Sequence, residues 1–91
     1  MNDAQLLIGS LSNDLFRVSI LTQRGSIEAT TRFLQEAKRW VGPLQLIPIA
    51  DYIKDIARDI EVTKVGPVSQ VQAERFLMYD VLLQNNALHH Q

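Results

Sequence analysis

The chain has 91 residues, 46% hydrophobic and 21% charged, and nine Lys+Arg set against ten Asp+Glu leave a formal net charge of −1. Those proportions describe one globular domain over residues 1–91, large enough for a single core and too small for a deep private cavity. Cysteine is absent, which excludes disulfide frameworks, thiolate metal sites, iron–sulfur clusters and cysteine nucleophiles.

Four segments carry helical periodicity, roughly 3–24, 27–41, 48–62 and 69–84, and predict an all-α, compact four-helix domain. The first starts at Asn2 or Asp3 as N-cap and stops at Gly25, with Leu7, Leu11, Leu15, Val18 and Leu21 on one face at 100° per residue. Gly9 and the stretch Ser10 to Asp14 are weak helix formers, which allows a break near Ser12. Ser26 can cap the second helix, where Ile27, Thr30, Phe33, Leu34, Ala37, Trp40 and Val41 cover one side and Glu28, Arg32, Gln35 and Arg39 the other.

Val41-Gly42-Pro43 and Val65-Gly66-Pro67 each set a residue tolerant of positive φ before a proline, a helix-stop chemistry shared by both sites without making them a repeat. Pro48 suits the first turn of the third helix, whose Ile49, Ile53, Ile56 and Ile60 form a narrow seam at alternating spacings of four and three. Ser69 and Gln72 match a capping box for the fourth helix, Asn85-Asn86 its stop, and the tail after about residue 86 is expected to fray. The alternative is a small α+β domain with short strands near 44–49 and 61–65, which are rich in β-branched and aliphatic residues.

Few residues point to chemistry. Asp51, Asp55 and Asp59 line one flank of the third helix, but Lys54 and Arg58 follow at ion-pair spacing, so the row reads as a solvated face rather than a cation site. His89 and His90 are adjacent and terminal, which denies them the fixed geometry that proton transfer needs. Residues 15–40 are locally basic, and Arg32 and Arg39 share an exposed face suited to an anionic contact. The overall charge disfavours nucleic acid nonetheless. Trp40 reads as a packing anchor, and the four dispersed glycines make no phosphate loop. No catalytic residue, cofactor or metal site is therefore expected. No apolar run approaches the roughly 20 residues of a membrane span. The stretch before Arg17 lacks both the basic residues and the apolar length of a secretory leader, so the expected compartment is the cytoplasm.

The most informative feature is surplus apolar surface. On the fourth helix Val71, Met78 and Leu82 form one side, Phe76 and Leu83 point elsewhere, and Leu77 and Val81 take a third direction. The first helix adds Leu6, Phe16 and Ile20 opposite its main stripe. A helix apolar nearly all round must be surrounded, either by being central in the monomer or by a second chain. The resulting expectation is a non-enzymatic protein–protein interaction or regulatory module, homodimeric, with Leu6, Phe16, Ile20, Phe76, Leu77 and Val81 as interface candidates. Its rivals are a nucleic-acid-binding regulator using Arg24 to Arg39 and a small-ligand binder with a pocket at a subunit interface.

Overall fold

A computed structural model describes residues 3–89. Four helices follow in order, α1 (Asp3–Gln23), α2 (Ile27–Gln45), α3 (Asp51–Val62) and α4 (Gln70–His89). No strand occurs among the described residues, so the domain is all-α. The 44–49 and 61–65 segments of the α+β alternative are partly helix ends, and the rest is connecting chain. The central element is α1: α2 packs on one flank, α4 on the other, and α3 lies on α2.

The turn between α1 and α2 forms as its residues dictate. Gly25, at φ +75°, occupies the left-handed position. There the Gly25 N–H donates to Thr22 O and the Ser26 N–H to Leu21 O, both at 3.0 Å. This pair of bonds satisfies the last carbonyls of α1 and reverses the chain. Ser26 stands at the N-cap of α2 through its carbonyl, which accepts from the Thr30 N–H at 3.0 Å, and not through its hydroxyl. The Asn2 alternative for the α1 N-cap lies outside the described residues.

Three expected breaks or stops are overrun. The break near Ser12 does not occur, because Ile8 and Leu11 before it and Leu15 and Val18 beyond it are all buried on one stripe. Helix α2 passes through Val41-Gly42-Pro43 and ends at Gln45. A proline in the last turn forfeits one backbone bond, but Leu44, wholly buried one turn after Val41, holds the extra residues in place. Helix α4 likewise runs through Asn85-Asn86, since Ala87 packs against the core one turn beyond buried Leu83.

At α3 the start moves from Pro48 to Asp51, with residues 48–50 non-helical and Ala50 extended at φ −58°, ψ 144°. Its end at Val62 is as expected, but the stop is Thr63, whose hydroxyl donates to Asp59 O at 2.7 Å. Gly66, at φ +152°, belongs to the link into α4. That link closes on the expected capping box: the Ser69 N–H donates to Gln72 Oε1 and the Gln72 N–H to Ser69 Oγ, each at 3.1 Å.

The isoleucine seam is core. Ile53, Ile56 and Ile60 are buried, with Ile49 partly buried in the preceding link. They meet Leu11, Leu15 and Val18 of α1, Leu34, Ala37, Val41 and Leu44 of α2, and Phe76 and Leu83 of α4 in one cluster. Each such side chain contributes about 1.5–3 kcal/mol by leaving water. Polar contacts fix where α3 sits. Lys38 of α2 reaches the carbonyls of Ile60 and Glu61 at 2.8 and 2.9 Å, placing a cation on the negative end of the α3 dipole. Across the other side, the Tyr79 hydroxyl donates to Asp59 Oδ2 at 2.6 Å, with Arg75 Nε at 3.2 Å from the same oxygen. Burial and this carboxylate push the Tyr79 phenol up to about 12.

Candidate functional site

Helices α1 and α4 run antiparallel. At one end of the bundle a cavity of about 160 Å³ is lined by Thr22 and Gly25 together with Pro67 and Val68, just before α4. At the other, a cavity of about 330 Å³ joins Ala4 and Ile8 to Asn86. Their mutual register is set at the middle by a buried hydrogen bond from the Ser12 hydroxyl to Asp80 Oδ1, an oxygen that also accepts from Gln84 Nε2 at 2.8 Å. A carboxyl this deep costs several kcal/mol unless its lone pairs are met; Gln84, one turn on in α4, meets one from within the helix, and the Ser12 hydroxyl ties α4 to α1 in one alignment.

Turned inward with Asp80 are Ala73, Phe76 and Leu83, all wholly buried. Phe76, an interface candidate on sequence grounds, is the largest fully buried side chain and belongs to the monomer's own core. The other candidates do lie outside it. Leu6 and Phe16 are exposed on α1 and Ile20 is half-buried; on α4 Val81 is exposed and Leu77 half-buried. Val71, Met78 and Leu82 are exposed as well, which carries the apolar surface further round the outer side of α4. Counting 100° per residue, Phe16 and Ile20 fall on the flank of α1 that also carries Ser12, and Leu77 and Val81 on the flank of α4 that carries Asp80. The two helices therefore present one continuous apolar face rather than two isolated stripes.

Where that face turns towards α2, Phe16, Arg17, Ile20, Leu21, Arg24 and Phe33 line an open groove of about 360 Å³. The Arg17 guanidinium lies 5.2 Å from the centre of the Phe33 ring, an attraction between cation and π-face that holds it along the groove wall. Further along, the Trp40 indole N–H donates to Asp14 Oδ2 at 2.8 Å. Burial and the Glu36 carboxylate push Asp14 up from 3.8 to about 6, against the opposing pull of the Trp40 bond and the Arg17 charge. Trp40 is thus the packing anchor its position suggests. Arg39 lies 5.7 Å from its ring, while Arg32, the other candidate for an anionic contact, is exposed nearer the start of α2.

The acidic row on α3 is not uniform. Asp51 is exposed and Asp55 pairs with Arg58 at 3.3 Å, but Asp59 reaches across to α4, accepting from the Tyr79 hydroxyl and pairing in charge with Arg75. Among the described residues no three His, Cys, Asp or Glu converge as a metal site, and no helix is long and apolar enough to cross a membrane. His89 ends α4 and His90 lies outside the described residues. The residues missed in the sequence are the buried aspartates Asp14 and Asp80; their only signal was position, each standing one helical step from an apolar stripe. No protein-family model, curated protein or solved structure matches the chain.

Proposed function

We propose that this chain is a small helical protein–protein interaction module that works as a homodimer, acting by the surface it presents and not by catalysis. One observation carries the reading: the outer sides of α1 and α4 leave Leu6, Phe16, Val71, Met78, Val81 and Leu82 exposed on adjoining helices. Scattered apolar residues are ordinary on a surface, but a strip spanning two helices is the kind of patch that partners cover.

Magnitudes favour a second copy as that partner. Removing the remaining exposure of six such side chains yields on the order of 1 kcal/mol each, about 6 per protomer and twice that for a symmetric pair. The association penalty is roughly 4–15 kcal/mol. Leu6, Phe16 and Ile20 alone, about 6 kcal/mol for the pair, reach only the lower part of that range, and the α4 strip raises the sum towards its upper part. An isologous contact uses the same patch on both chains and closes the assembly. Light scattering at micromolar concentration tests this directly, with a dimer expected for the parent and at least tenfold weaker association for Phe16→Asp at unchanged helix content by circular dichroism. A parent that stays monomeric at high concentration overturns the proposal.

A further inference from the structure

We propose that the two-fold axis of this dimer runs along the helices, so that α4 of each protomer lies over the groove between α1 and α2 of the other, with the exposed Glu74 carboxylate of one copy set against the Arg17 guanidinium of the next. This inference rests on the homodimer reading and specifies its geometry. It begins with the charges left on each surface. Through Gln84, α4 carries three charged residues: Asp80 is buried against Ser12, and Arg75 is engaged with Asp59. Glu74 is exposed, and at 100° per residue it falls between Val81 and Met78, in the middle of the apolar strip. The groove beside α1 has the opposite sign. Arg17 and Arg24 line it above the apolar Phe16, Ile20, Leu21 and Phe33, and Arg32 is exposed on α2 nearby.

The internal register then decides how two such faces meet. Ser12 is level with Asp80 in the antiparallel pair, so six residues back along α4, Glu74 stands level with the position six residues on along α1, Val18, one residue from Arg17. Viewed from outside, each protomer presents α4, α1 and α2 side by side, with α1 in the middle. Facing two such layers about an axis along the helices reverses their left-to-right order and keeps every residue at its own height. That rotation carries α4 over the α1–α2 groove of the other copy, with Glu74 level with Arg17. An axis across the helices keeps the order and inverts the heights; α4 then faces α4, and Glu74 of each copy meets the other's apolar strip instead of the Arg17 groove. Opposite charges at an interface fix register more than they add affinity, and here they select the first arrangement.

Cross-linking separates the two axes, and the lack of native cysteine makes single introduced cysteines unambiguous. Leu6 and Ile20 are 14 residues apart, about 21 Å along α1. With the axis along the helices, Leu6→Cys and Ile20→Cys should each cross-link to itself through a short bis-maleimide, and a mixture of the two should give little mixed product. Glu74→Arg should weaken the dimer at least tenfold by analytical ultracentrifugation, and Glu74→Arg with Arg17→Glu should recover most of the loss. If Arg17→Glu does not keep its helix content, the cross-linking pattern of Leu6→Cys and Ile20→Cys decides the geometry on its own. A dimer that yields chiefly the mixed product, joining position 6 of one protomer to position 20 of the other, or that ignores Glu74→Arg, overturns this geometry and leaves the homodimer reading standing. A monomeric parent removes both.

Discussion

The two neighbours of α1 differ in what they do with their outer sides. Helix α2 buries Leu34, Ala37, Val41 and Leu44 and gives the solvent Glu28, Arg32, Gln35 and Arg39. Helix α4 buries Ala73, Phe76 and Leu83, yet its outer side carries Val71, Met78, Val81 and Leu82. Both inner faces follow the same 3.6-residue logic, and each is tied to α1 by one buried aspartate. The lesson is that the polar outer side of α2 is finished within the monomer and the apolar outer side of α4 is not.

The comparison breaks first if the inner faces are unequal. Phe76→Ala on α4 should cost about 3–5 kcal/mol, and Leu34→Ala on α2 about 2–5, through lost burial plus a cavity. Both are large fractions of the roughly 5–15 kcal/mol typical of a small domain. Urea unfolding by circular dichroism measures them, and a near-silent Phe76→Ala would mean that α4 is not docked as described. Ile53→Ala, on the third helix, belongs in the same range of about 2–5 kcal/mol.

The polar anchor of α2 gives a test whose sign depends on pH. Asp14 is raised from 3.8 to about 6 in the folded chain, so the folded state holds its proton more tightly than the unfolded state does. Its contribution to stability is full below about pH 4 and is lost as the pH rises through about 6. Asp14→Asn keeps an acceptor for the Trp40 indole and carries no charge. It should match the parent near pH 4, exceed it at about pH 7.5, and flatten the profile between. A variant less stable than the parent at the higher pH would show that the ionised carboxylate is favoured where it sits.

The outer faces separate by association rather than by folding. Val81→Asp on α4 should weaken the dimer at least tenfold, about 1.4 kcal/mol, and Gln35→Asp on α2 should leave it unchanged, both by light scattering. Equal effects would erase the distinction between the helices. The smallest change expected is at the α4 cap, where Ser69→Ala removes the acceptor for the Gln72 N–H and should cost about 1 kcal/mol in thermal or urea unfolding.

How much of this was written in the sequence depends on the range of the interaction. Local signals are legible: Gly25 at a left-handed turn, the Ser69 and Gln72 reciprocal cap, and the isoleucine spacing of α3 all appear where their chemistry requires. Boundaries settled by distant packing are not. Pro43 looks like a stop until Leu44 is seen to fill the core, and Asn85-Asn86 looks like one until Ala87 finds its seat. The site divides the same way. Exposure of Leu6, Phe16 and Val81 follows from helical phase, whereas the inward turn of Phe76 and the pairing of Ser12 with Asp80 depend on which face α1 chooses, and no local spacing states that.

The hydrogen bond between Trp40 and Asp14 gives the molecule an optical consequence. The chain has one tryptophan, and its indole N–H points at a carboxyl group that gains its proton at a pH of about 6. A protonated carboxyl quenches indole emission and an ionised one does so far less, which makes the intrinsic fluorescence of the native protein follow the protonation of the carboxyl cluster on the α1–α2 seam. The α4 strip lies on the other flank of α1, away from that chromophore. Light emitted by this protein therefore reports on the seam that joins α1 to α2.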